Sequence, residues 1–123
     1  MPTLLPARSR LLAALPLILT VVLALAPTVS AQTVIYVDNS AGGANDGTSW
    51  TDAYTTLQAA LATATGDDQI WIAQGTYYPD EGPGVTDDDR TAAFTLTGAQ
   101  DSLQIYGGFE DGDAFADRDP AAH

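Results

Sequence analysis

The chain has 123 residues, no cysteine, and four basic against 16 acidic residues, for a formal net charge of −12 at pH 7. A field of one negative sign repels phosphate backbones and anionic headgroups, which excludes nucleic acid and anionic membrane surfaces as partners. The lack of cysteine excludes a disulfide framework, a thiolate metal site and an acylated lipoprotein.

Taken in chain order, the first segment is an export address. Arg8 and Arg10 precede an apolar run over residues 11–26, and Val29, Ser30 and Ala31 supply the small residues a signal peptidase needs. The run is shorter than the roughly 20 residues of a spanning helix, and Pro16 interrupts it. Residues 1–31 are therefore expected to be a signal peptide cleaved after Ala31. The mature chain would be secreted or held at the cell surface, with no membrane span after cleavage. Residues 32–123 carry all 16 acidic residues and only Arg90 and Arg118 as cations.

Residues 33–37 are β-branched and aromatic, which predicts a strand. Residues 38–47 are dense in Asn, Asp and Gly and predict a loop. Capping side chains at 48–52 then precede a helical face of Tyr54, Leu57, Ala60, Leu61 and Ala64, with Gly66 as the stop. Residues 69–73 predict a second strand, and 75–79 turn away from it. Residues 80–90 show no apolar periodicity and hold Asp87, Asp88 and Asp89 near their end, which predicts an exposed excursion. Residues 91–96 and 102–106 alternate as strands should, residues 107–109 turn, and 110–119 form a second acidic loop. A single helix argues against a repeating βαβ sheet. It favours a solenoid in which each strand is one rung and stacking buries a continuous interior. The helix would then lay Leu57, Leu61 and Trp50 over the open apolar end of the coil.

Several short motifs recur in a telling order. They are Tyr36-Val37-Asp38, Asn45-Asp46-Gly47-Thr48-Ser49-Trp50, Leu57-Gln58-Ala59-Ala60-Leu61, Ile70-Trp71-Ile72-Ala73-Gln74-Gly75-Thr76-Tyr77, Phe94, Tyr106-Gly107-Gly108-Phe109 and Arg118-Asp119-Pro120. This succession resembles the N-terminal region of bacterial extracellular right-handed parallel β-helix proteins of the pectate-lyase-like superfamily. The resemblance implies a mostly β protein: the start of a right-handed parallel β-helix with one short N-terminal capping α-helix. Residues 32–123 would be the cap and first coils of an incomplete domain. The function it implies is a structural, adhesive or polysaccharide-binding role at the cell surface or outside the cell. The partner would be an extracellular polysaccharide or a cell-surface component. The alternative is the N-terminal part of a polysaccharide lyase or glycoside hydrolase whose catalytic coils are missing.

The residues assign no catalytic group. A lyase needs an Arg or Lys able to act as base. Arg90 follows three aspartates that favour its charged form, and Arg118 lies between Asp117 and Asp119. A glycosidase needs two carboxylates roughly 5 to 9.5 Å apart, and 16 acids leave that pair unassignable. Calcium is the better candidate cofactor: Asp111, Asp113, Asp117 and Asp119 alternate in a glycine-bearing loop, to which Asp87, Asp88 and Asp89 add carboxylates. The competing reading is a set of solvated loop residues. Tyr77 and Tyr78, beside the excursion, are candidates for stacking on sugar rings. Trp50 and Trp71 are expected to be buried.

Overall fold

A computed structural model describes residues 31–123, so the expected signal peptide lies outside the described residues apart from its last position. Strand β1 (Val34–Val37) is followed by helix α1 (Leu57–Thr63), strand β2 (Gln69–Ala73) and strand β3 (Gln104–Phe109), with short 3₁₀ turns at Gly98–Gln100 and Phe115–Asp117. The three strands form one parallel sheet in the order β1-β2-β3. Ile35 pairs with Ile70 and Ile70 with Ile105, while Tyr36, Trp71 and Tyr106 form the neighbouring row. Each step across the sheet is 35 residues along the chain, as the Gln69–Gln104 side-chain bond at 3.5 Å also records.

The expected right-handed parallel β-helix is not what these residues form. They make an open three-stranded sheet with one helix, and no strand lies between β2 and β3 to turn the chain into a closed coil. The physical reason is in residues 80–97. Their turns hold few apolar side chains, and the expected strand over 91–96 is irregular, with Phe94 39% and Leu96 57% exposed. Without a second ladder there is no rung to stack. The connection from β1 through α1 to β2 is instead the helical crossover that parallel neighbours require. No helix of the described residues is long and apolar enough to cross a membrane.

Alternation along the strands gives the sheet two faces. Ile35, Val37 and Ile70 pack with Ala60, Leu61 and Ala64 of the helical segment, and Leu57, Ile72 and Tyr77 close the rim. The other face is aromatic: Tyr36, Trp71 and Tyr106 surround Trp50, Ala73 and Phe109. Trp50 meets Tyr36 edge-on at 4.9 Å, so it belongs to this face and not to the helix side where it was expected. Trp50 is buried, as expected, whereas Trp71 is only partly so. Phe109 lies parallel to Trp71 at 5.0 Å. It reaches that face because one extra residue of β3 stands opposite the step from Trp71 to Ala73. Such a bulge returns the next side chain to the same side. Gly108 absorbs it at φ +84°, where a Cβ would lie 2.7 Å from Pro120.

Helix α1 is too short to persist alone and depends on its packing and its caps. Thr56, not the 48–52 segment, is its N-cap, and its side chain accepts from the Ala59 N–H. At the far end Gln100 donates its Nε2 to Leu61 O at 2.7 Å and Ala64 O at 3.2 Å. A distant side chain thus satisfies carbonyls that a helix C-terminus leaves open. The outer edge of β1 is closed locally, since Tyr54 N donates to Tyr36 O and Asp38 N to Tyr54 O, each at 2.9 Å.

Two predictions follow from this packing. Ile70 is fully buried between β1, β3 and α1, so Ile70→Ala should cost about 2–5 kcal/mol through lost transfer and a residual cavity. A urea titration should show a lower midpoint at an unchanged slope. Asp68 ties the starts of β1 and β2 together. Its partial burial raises its pKa, but the Thr65 and Thr33 donors outweigh this and hold it below the ordinary 3.8. A depressed folded value means that the stability Asp68 contributes is complete above pH 3.8 and lost as pH falls through the folded value. Acid unfolding of Asp68→Asn should lack that component, and an acid limb unchanged from the parent chain would show that Asp68 does not couple folding to protons.

Candidate functional site

All three strands run the same way, so their carboxyl ends open onto one edge of the sheet. In open parallel sheets this edge is where ligand crevices form. Here it holds a cavity of about 390 Å³ lined by Asp38, Asn39 and Ser40 after β1, Gln74 and Gly75 after β2, and Asp111 after β3.

Asp38 is the central group, with only 3% of its surface exposed. Its Oδ1 accepts from the Ser40 N–H at 2.8 Å and the Ser40 hydroxyl at 2.6 Å. Its Oδ2 accepts no hydrogen bond among the described residues. No fully enclosed side-chain oxygen there lacks a partner, so this oxygen opens to the cavity. Asn39 donates its Nδ2 to Thr76 O at 3.2 Å, which leaves its Oδ1 as the free polar atom. That side chain lies against Gly75, where a Cβ would come within 2.9 Å of Oδ1. At the rim His123 meets Gln74 Oε1 at 3.2 Å through Nδ1 and Glu110 at 3.3 Å through Nε2. The cavity therefore presents two carboxylates beside neutral amides that carry both acceptor and donor atoms. No lysine, arginine or histidine lines it.

The aspartates proposed for calcium are dispersed. Asp111 lines the cavity. Asp113 accepts from the Glu110 N–H at 2.8 Å, and its carbonyl receives the Trp50 indole N–H at 2.9 Å. Asp117 ends a 3₁₀ turn, and Asp119 accepts from the Ala121 N–H at 3.0 Å. Asp89 is likewise engaged in its own turn by Thr91. Among the described residues no three His, Cys, Asp or Glu side chains stand close enough to hold a metal.

The two tyrosines divide. Tyr78 is 52% exposed. Tyr77 turns inward, packs on the helix-side core and donates its hydroxyl to Ala73 O at 2.9 Å. Burial pushes its pKa above the ordinary value. Arg118 donates Nε to Gly107 O and lies over the Tyr106 ring at 5.4 Å. Sequence reasoning passed over Asp38, Asn39, Ser40 and Gln74. The signal that would have found them is the 35-residue offset, which sets the polar residues beyond each strand side by side.

The Tyr77 hydroxyl gives a stability prediction. Tyr77→Phe should lose about 0.5–1.5 kcal/mol, the net worth of one internal hydrogen bond, while Tyr78→Phe should lose none. In an alkaline absorbance titration the Tyr77 hydroxyl should ionise above the ordinary tyrosine value, a late step that Tyr77→Phe should remove. No family model, curated protein or solved structure matches the chain.

Proposed function

We propose that the chain is an exported, structural or adhesive module that binds polysaccharide at the cell surface or outside the cell. The observation that carries this reading is the cavity at the strand ends, where Asp38 Oδ2 has no hydrogen-bond partner among the described residues. Hydroxyl-rich ligands suit such a site. A carboxylate accepts from two adjacent hydroxyls, amide oxygens accept from others, and neither needs a counter-ion. The apolar leader and the family resemblance of the motifs support export. Tyr78 and Phe115, 52% and 45% exposed, add amphipathic and apolar surface for weak contacts with a polymer.

The reading is tested by binding of the chain to immobilised polysaccharides, set beside assays for product release from the same polymers. Retention without products is the expected result, with retention weakened at least about tenfold in Asp111→Ala, a loss of roughly 1.4 kcal/mol. Ultraviolet-absorbing unsaturated products would instead make the chain part of a lyase. No retention on any polymer would remove the saccharide.

A further inference from the structure

We infer that the cavity selects its glycan by charge, accepting neutral hydroxyl-bearing chains and rejecting polyuronates. This rests on the saccharide-binding reading and adds the chemical class of the sugar. Both charged groups at the site are carboxylates, Asp38 and Asp111, and the other side-chain polar groups free to meet a ligand are the neutral amides of Asn39 and Gln74. Asp38 is nine-tenths buried or more, so its charge is poorly screened by solvent. A sugar hydroxyl entering the cavity donates to it. A uronate carboxylate entering the same space meets a like charge with no cation between them, the arrangement by which interfaces exclude wrong partners.

The basic side chains either meet other partners or lie away from the cavity. The Arg118 guanidinium donates to Gly107 O and lies over the Tyr106 and Phe109 rings. His123 faces Glu110 and Gln74. Arg90 is exposed in the 80–97 excursion and does not line the cavity. The long-range field has the same sign as the local one, since the described residues hold two arginines against 16 acids.

The test uses two matched pairs of polymers: a polyuronate with its fully methyl-esterified form, and a neutral glucan with the same glucan oxidised at C6. Affinity is measured for the full chain in a chelator, at low salt and at about 0.5 M salt, where screening acts within roughly 4 Å. The expected result is that at least one uncharged polymer binds at least about tenfold more tightly than its charged twin, and that the ratio survives in high salt. Asp111→Asn, at an exposed position, should narrow that ratio, as should Asp38→Asn, which keeps an oxygen for Ser40. Equal or tighter binding of the charged twins would overturn the charge selection while leaving saccharide binding intact. A ratio that collapses in high salt would assign discrimination to the whole chain and overturn the role of the cavity. Charged-polymer binding that appears only when calcium replaces the chelator would make the cavity a cation site and also overturn the inference. Binding of none of the four polymers would sink the saccharide reading and this inference with it.

Discussion

Parallel strands can lie side by side only if the chain returns to the same end of the sheet before each new strand begins. In this molecule that constraint is met twice with the same spacing, so Ile35, Ile70 and Ile105 fall in one row and Tyr36, Trp71 and Tyr106 in the next. The rows give the sheet its apolar and aromatic faces. Parallel direction also brings three separate stretches of polar residues to one edge, which no hairpin of the same strands would do. Asp38, Gln74 and Asp111 are distant in the chain and share a cavity because of it.

The strands were legible wherever local preference and burial agree. Residues 33–37, 69–73 and 102–106 read as strands within a residue or a few of β1, β2 and β3. Residues 91–96 read the same way and are not a strand. Phe94 and Leu96 alternate with threonines, yet they find no ladder and stay exposed. The helical face was correct in its residues but the helix is shorter, since Thr56 caps it and Tyr54 is spent on bridging Val37. The architecture was the larger miss. A solenoid reading follows from recurring short strands, but the stretches between them carry too little apolar surface to form further rungs. The site was illegible for a different reason: Asp38 looks like any aspartate in a turn until pairing sets Ala73 and Gln74 beside it.

Acidity has two consequences of different range. Across the chain it is a diffuse field that salt attenuates. At the strand ends it becomes local, because Asp38 is buried and its second oxygen accepts no hydrogen bond among the described residues. Six other aspartates accept from backbone N–H groups: Asp46, Asp52, Asp68, Asp89, Asp113 and Asp119. Asp46, Asp68 and Asp89 each bind a nearby threonine, and each has a pKa below its ordinary value. Part of the acidic composition is thus a device for fixing turns in a chain without disulfides.

The bulge in β3 sets different rules for two neighbouring residues that the sequence writes identically. Around Gly107 a side chain would meet open space, whereas at Gly108 it would strike Pro120 and strain a left-handed backbone. The segment that Pro120 belongs to shields the outer edge of β3 through Asp119 N on Gly108 O and Arg118 on Gly107 O. Drift among relatives should therefore be free at the first glycine and closed at the second, since losing the second would unseat the segment that keeps this strand from pairing with strangers.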